Sequence, residues 1–133
     1  MIVLDASAAI EWLLQTSVGG KVEERIFAYA DTLHAPHVLD VEVAQLLRRY
    51  VMAGIITAHR GQEALDDLLD LALTPYPHLA LLGRVWELHD NLTAYDAAYV
   101  ALAEALGAPL VTCDGKLALA PGHHARVELI AEA

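Results

Sequence analysis

Four acidic residues occur where a protein could assemble a site for a divalent cation. Asp5 and Asp114 each follow a short apolar run, so both are expected just beyond the end of a β-strand, whereas Glu42 and Asp96 fall near the expected starts of helices. Like charges ~4 Å apart repel by about 1 kcal/mol in water and by several times more at a partly dry site, so such a group needs a cation. Carboxylate ligands without His or Cys favour Mg²⁺ or Mn²⁺, and Mg²⁺ takes further ligands from phosphates. The residue types therefore predict metal-assisted phosphodiester chemistry.

Each of these acids also has a purely structural interpretation. Asp5 can cap the helix that follows it, and an Asp followed by Gly, as at Asp114, often forms only a turn. Glu42 suits the positive end of a helix, and Thr93 and Asp96 have the spacing of a capping box. Capping alone does not require two strand ends and two helix starts to bring acids to the same edge of a sheet. Their joint placement favours a functional site.

The elements that must position these acids alternate between short apolar strands and amphipathic helices. Helix N-caps are predicted at Asp40, Thr57 and Thr93. Helices between successive strands imply right-handed crossovers, and hence a three-layer α/β/α domain with a central, mainly parallel sheet. In such sheets, ligands bind beyond the carboxyl ends of the strands. The strands are predicted over Met1–Leu4, Pro36–Leu39, Leu73–Tyr76, Pro109–Cys113 and Arg126–Ile130.

Length and charge narrow the possible functions. The chain has 133 residues, 56% of them hydrophobic and 20% charged, which fits one domain over residues 1–133. Eighteen acidic and eight basic residues give a net charge of −10, which argues against a protein that coats nucleic acid or anionic lipid by bulk attraction. No segment approaches the roughly 18 apolar residues of a membrane span, and the first apolar run is too short for a signal peptide. We therefore expect a cytoplasmic protein.

Four short motifs give the chain a resemblance to a known family. The first is Val3–Ala8 and the third is Tyr95–Tyr99; the second contains Pro36, Glu42 and Leu47, and the fourth runs from Leu110 to Asp114 with Leu117 beyond it. Together they resemble the motifs of PIN-domain ribonucleases, in particular the VapC toxins of bacterial toxin–antitoxin pairs. The first and third motifs are the more specific, and the resemblance extends over nearly the whole chain.

This resemblance implies a Mg²⁺-dependent endoribonuclease, with Mn²⁺ as an alternative metal, in which metal-activated water hydrolyses RNA. It implies Ser7 and Thr112 as supporting hydroxyls, although either could instead bond its own backbone. Either Asp114 or Glu42 could be the general base that accepts the proton of the attacking water. The catalytic residues, which are also the metal ligands of one or two ions, are implied to be Asp5, Glu42, Asp96 and Asp114.

The negative net charge conflicts with binding of RNA, itself a polyanion. A small local set of cations must therefore hold the substrate, and Lys116, in an expected loop two residues after Asp114, is the best placed. Binding by so few cationic side chains predicts a narrow substrate preference. Tyr95 and Tyr99 flank the third motif, and their spacing leaves both core packing and base stacking open.

The resemblance also implies partners. A small antitoxin protein is expected to cover the acidic site, where an Arg of the antitoxin would meet the carboxylates. A homodimer is also expected, and the apolar residues Val51, Met52, Ile55 and Ile56 could form its interface or belong to the core.

Two alternatives belong to other functional classes. A signalling receiver domain also collects acids and Mg²⁺ at the carboxyl edge of a parallel sheet, but it uses one Asp as a phosphoacceptor. Here Asp5 is followed by Ala6-Ser7-Ala8 rather than by further acids. A PIN module that binds protein or RNA without cleaving it is the second alternative, and the presence of all four acids argues against it.

Overall fold

A computed structural model describes residues 1–132 and shows a five-stranded sheet flanked by helices. All four strand pairings are parallel, so the predicted three-layer α/β/α architecture is confirmed. The strands are β1 (Ile2–Leu4), β2 (Leu33–Pro36), β3 (Leu73–Tyr76), β4 (Leu110–Thr112) and β5 (Val127–Leu129). Their order across the sheet is β3-β2-β1-β4-β5, which places β1 at the centre.

Seven α-helices and one short 3-10 helix, Leu79–Leu81, connect the described strands. Side-chain caps fix several helix starts: the Thr57 hydroxyl accepts the Arg60 backbone N–H at 3.0 Å, and the Thr93 hydroxyl accepts that of Asp96 at 3.2 Å. None of the described helices is long and apolar enough to cross a membrane. The helices are α1 (Ala6–Leu13), α2 (Ser17–Ala28), α3 (Val38–Met52), α4 (Ala58–Asp70), α5 (Leu82–Glu87), α6 (Ala94–Leu106) and α7 (Gly115–Leu119).

The core is centred on β1 and α6. All three residues of β1 are fully buried, and α6 is buried without interruption over residues 97–103. A helix that is apolar on all sides must be covered on all sides, and α6 packs against β1, β2 and β4 as well as α5. Gly107, at φ +63°, ends α6 as a left-handed C-cap and lets the chain turn into β4. The start of α6 is thereby held beside the central strands.

The second strand begins earlier than predicted. Our expectation of a strand over Pro36–Leu39 is wrong, because β2 is Leu33–Pro36 and Val38 already begins α3. The physical reason lies at His34, which is buried in β2 because its ring nitrogens bond the hydroxyls of Thr32 and Tyr76, both at 2.7 Å. A histidine paired in this way is accommodated in a buried strand.

The shift of β2 also moves the start of the next helix. Asp40 is not the N-cap of α3: His37 is, and Asp40 lies in the first turn. Glu42 consequently lies at the fifth position of α3 rather than in its first turn. Lys116 is not in a loop, since it is the second residue of α7, a helix that was not predicted because it is only five residues long.

Candidate active site

Asp5 is the most constrained carboxylate at the carboxyl edge of the sheet. It follows β1 and caps α1, where Oδ1 accepts the Ala8 backbone N–H at 2.9 Å. The Ser7 hydroxyl donates to the same oxygen at 2.8 Å, and the Thr112 hydroxyl donates to Oδ2 at 2.5 Å. The residue is only 4% exposed. The capping interpretation of Asp5 is therefore correct, but it accounts for only one of its three hydrogen bonds.

The hydroxyls of Ser7 and Thr112 connect the chain segments at the carboxyl ends of β1 and β4. Thr112 Oγ1 accepts the Asp114 backbone N–H at 3.0 Å while it donates to Asp5. Ser7 Oγ accepts the Cys113 backbone N–H at 2.9 Å and likewise donates to Asp5. Both hydroxyls therefore accept a backbone N–H of another residue and orient the Asp5 carboxylate at the same time.

Burial makes the ionised form of Asp5 energetically unfavourable. Removal from water raises the pKa of its carboxyl from 3.8 to about 6, against the opposing effect of its three hydrogen bonds. The negative charge of Asp96 raises the pKa further. The donors around Asp5 are neutral groups, so they orient its charge without cancelling it.

Glu42 reaches the same region from α3. The Tyr99 hydroxyl donates to its Oε1 at 2.7 Å. Burial raises the pKa of the Glu42 carboxyl, and the charges of Asp96 and Asp5 raise it further. Tyr99, the donor, is only 1% exposed. No signal in the sequence links Tyr99 to Glu42, because the two are 57 residues apart and a tyrosine at helical spacing resembles an ordinary core residue.

Asp96 and Asp114 complete the group. Asp96 lies in the first turn of α6, and burial together with the charge of Asp114 raises the pKa of its carboxyl. Asp114 follows β4 by two residues and caps α7, where its Oδ1 accepts the Lys116 backbone N–H at 2.9 Å. The Lys116 side chain is exposed beside this turn. The charge of Asp96 thus raises the pKa of both Glu42 and Asp5, and the charge of Asp114 raises the pKa of Asp96.

The four acids lack cationic partners within residues 1–132. The ion pairs in this part of the chain involve other acids, among them Asp31, Glu104 and Glu128. Among residues 1–132, no three His, Cys, Asp or Glu side chains lie close enough together to hold a metal ion by themselves. An open arrangement of oxygen donors still fits a hard cation, because Mg²⁺ keeps several waters and uses one or two carboxylates together with substrate phosphates. The donor set is compatible with such an ion.

Tyr95, the other tyrosine that flanks Asp96, lies differently from Tyr99. Its side chain is 60% exposed, and it lines an apolar pocket of about 180 Å³ between the starts of α3 and α6 and helix α5. Tyr99 points into the core. The spacing of the two residues could not separate these environments.

The parallel sheet with acids beyond its carboxyl edge agrees with a family match of the sequence. Residues 2–122 match the family model described as the PIN domain, and the chain belongs to this family. The resemblance inferred from the four motifs is confirmed, and the receiver-domain alternative is not favoured.

Two relatives show the similarity at the level of whole chains. Ribonuclease VapC12 of Mycobacterium tuberculosis is 44% identical over 131 residues, which are 98% of this chain and 100% of the relative. Ribonuclease VapC9 of the same organism is 46% identical over 117 residues, which are 88% of each chain. Both relatives are named as ribonucleases of the VapC group.

Solved structures share the fold at lower sequence identity. VapC20 of Mycobacterium tuberculosis, described as a toxin that cleaves the sarcin-ricin loop, superposes with a TM-score of 0.67 at 17% identity and covers 89% of this chain and 93% of its own. PAE2754 of Pyrobaculum aerophilum has a TM-score of 0.65 at 24% identity, over 87% of this chain and 76% of its own. These matches establish the common fold.

Proposed function

We propose that this chain is a metal-dependent endoribonuclease that acts as the toxin of a toxin–antitoxin pair. The relatives are named VapC ribonucleases, and ribonucleases of the PIN family are in general metal-dependent. The observation that carries the proposal is Asp5, a buried carboxylate coupled to Asp96 and Glu42 and held only by neutral donors. Such a site gains stability from a cation taken up from solution.

The metal in this proposal is Mg²⁺, with Mn²⁺ as a substitute. When bound, the ion supplies a coordinated water of lowered pKa and neutralises charge on the phosphate. The oxygen-only donor set supports a hard cation of this kind. The residues that would hold it are Asp5, Glu42, Asp96 and Asp114.

The remaining polar groups would orient these ligands and the RNA. Ser7 and Thr112 fix both oxygens of Asp5, so the carboxylate does not have to reorganise when charge accumulates near it. Glu42 and Asp114 are the two candidates for accepting the proton of the attacking water. Lys116, exposed at the start of α7, would contact a phosphate of the RNA.

The partners follow from the same charges. An acidic site in a chain of net charge −10 favours an antitoxin that places an Arg against the carboxylates. The proposed homodimer would use the exposed apolar side chains of Met52 and Ile55, which are 72% and 67% exposed at the end of α3. Action on cellular RNA would place the protein in the cytoplasm.

RNA cleavage tests the enzymatic part of the proposal. The purified protein would be incubated with cellular RNA and Mg²⁺ or Mn²⁺, beside Asp5→Ala and Asp96→Ala. We expect cleavage by the wild-type protein, loss of cleavage with EDTA, and little cleavage by either variant. Equal cleavage by all three proteins would remove these residues from the site.

Expression in a bacterial host tests the role as a toxin. We expect wild-type expression to arrest growth and Asp96→Ala to be harmless, with relief of the arrest by the small protein encoded beside the gene. Arrest that is equally strong with Asp96→Ala would contradict a toxic effect based on the acid group.

A further inference from the structure

Tyr99 is a buried residue that directly contacts the acid group. It is the largest of the side chains that are almost fully buried, and its hydroxyl donates to Glu42 Oε1 at 2.7 Å. A buried hydroxyl requires a hydrogen-bond partner, and here that partner is a carboxylate at the candidate active site. The contact therefore serves more than core packing.

This hydrogen bond joins α3, which carries Glu42, to α6, which carries Asp96. Tyr99 lies on α6 three residues after Asp96, so the two side chains share one side of that helix. Glu42 lies on α3. The position of the Glu42 carboxylate relative to Asp96 is thus set by a contact from the helix that bears Asp96.

The Tyr99 hydroxyl is the donor in this contact, because an ionised carboxylate has no proton to donate. Its single proton is directed to Oε1, so Oε2 of Glu42 is the oxygen left for another partner. A free Glu side chain loses rotamer freedom when it is fixed, which costs free energy. A carboxylate already held by Tyr99 has lost part of that freedom before any ligand arrives.

We infer that Tyr99 is a positioning residue, whose hydroxyl holds the Glu42 carboxylate by Oε1 so that Oε2 is left to bind the cation of the candidate active site. The inference rests on the proposed function and adds a residue to it. Tyr99 itself does not touch the substrate or the metal. Its effect passes entirely through Glu42.

Calorimetric titration with Mn²⁺ tests the inference without any need for cleavage. Tyr99→Phe keeps the ring and removes only the hydroxyl, and we expect it to weaken Mn²⁺ binding by about tenfold, as outer-shell contacts to metal ligands do. Tyr76→Phe is the matched control, because Tyr76 also has a hydroxyl bonded at 2.7 Å, but to His34 on β2. We expect Tyr76→Phe to bind Mn²⁺ as tightly as the wild-type protein does.

A double-mutant cycle separates positioning from a general effect on folding. If Tyr99 acts through Glu42, then Glu42→Gln with Tyr99→Phe binds Mn²⁺ no more weakly than Glu42→Gln alone. Wild-type affinity in Tyr99→Phe, or a tenfold loss that persists in the Glu42→Gln background, would overturn the inference. Failure of the wild-type protein to bind Mn²⁺ would overturn the proposed metal site itself, which is a distinct result.

A spectroscopic measurement covers the case in which Tyr99→Phe does not fold. The hydroxyl proton of a fully buried tyrosine exchanges slowly, so the NMR signal of Tyr99 can be followed in the wild-type protein. We expect it to shift when Mg²⁺ is added, because the electron density on Glu42 changes. The Tyr76 hydroxyl is expected to stay unchanged. A Tyr99 signal that Mg²⁺ does not move would contradict the inference.

Discussion

Asp5 is buried, at 4% exposed, and Glu104 is a half-buried residue whose side chain is only 5% exposed, but only Glu104 has a cation beside it. Arg84 donates to both Glu104 oxygens at 2.8 and 3.0 Å, and the pair lowers the pKa of Glu104. Asp5 has neutral donors, and its pKa rises to about 6. The fold therefore supplies a positive charge where a buried acid serves structure and leaves Asp5 uncompensated.

Other acids away from the candidate active site are also paired with arginine. Arg25 bonds Asp31 at 3.0 Å and Glu128 at 2.6 Å, which connects the end of α2 with β5. These pairs use scarce basic residues, since the chain has only eight. A protein that commits arginines to structural acids and none to the acids at the carboxyl edge of its sheet, within the described residues, leaves that edge available for a cation from solution.

The comparison predicts opposite results for two matched substitutions. Asp5→Asn keeps the size of the side chain but removes the charge of a proposed metal ligand. We expect it to lower kcat/KM for RNA cleavage by at least about 100-fold, because loss of an outer contact to a metal ligand already costs about 10- to 100-fold. Glu104→Gln should leave kcat/KM near the wild-type value. It should lower the midpoint of thermal unfolding, because Arg84 loses its charged partner. Equal loss of cleavage in both variants would contradict the division.

Asp5 and Glu104 should also contribute to the pH dependence of folding stability with opposite signs. A carboxyl with a raised folded pKa binds its proton more tightly in the folded protein, so Asp5 makes the metal-free protein less stable as the pH rises from about 4 to about 6. The rise of the Asp5 pKa from 3.8 to about 6 corresponds to about 3 kcal/mol at pH 7. Asp5→Asn should therefore raise the free energy of unfolding at pH 7 in EDTA. Urea denaturation at pH 4 and pH 7 measures this.

Glu104 supplies the contrasting case in the same titration. Its lowered pKa means that its stabilising contribution is present above the ordinary carboxyl pKa of 4.5 and is lost as the pH falls below it. Glu104→Gln should thus be less stable than the wild-type protein at pH 7. If Asp5→Asn were also destabilised at pH 7 without metal, burial of Asp5 as an anion would not be unfavourable.

Metal binding should offset the loss of folding stability that the buried charge of Asp5 causes. Mg²⁺ at 100 times its dissociation constant is expected to stabilise the wild-type protein by about 2.7 kcal/mol, because it binds only the folded chain. Asp5→Asn should gain far less, and Glu104→Gln should gain as much as the wild-type protein. Thermal unfolding with Mg²⁺ and with EDTA makes the comparison. An equal gain in Asp5→Asn would place the ion elsewhere.

The smallest effect is expected at Lys116. Its side chain is exposed at the start of α7, so it would act on RNA as a single screened charge. Lys116→Ala should raise KM with little change in kcat, and it should reduce the slope of log affinity against log salt by about 1. Lys21→Ala is the control, because Lys21 is a half-buried lysine on α2 whose Nζ donates to the Ala131 carbonyl at 3.1 Å. A fall in kcat for Lys116→Ala would assign it a role in the chemistry.

Local signals in the sequence were sufficient for much of the fold and for part of the site. The apolar runs before Asp5 and Asp114 and the cap at Thr93 depend on neighbouring residues, and they were predicted correctly. The start of α3 was misplaced because His34 looks polar in the sequence, while Tyr76, 42 residues away, makes it compatible with a buried strand. Tyr99 was not assigned to the site for the same reason, since its partner is set by tertiary packing.

The central claim is that the carboxyl edge of the sheet binds a divalent metal ion. Crystals soaked in Mn²⁺ and measured at a wavelength where manganese scatters anomalously test it directly. We predict an anomalous peak within coordination distance of Asp5 or Asp96, and none at the Glu104–Arg84 pair. A map without a peak at this edge, at saturating Mn²⁺, would contradict the account.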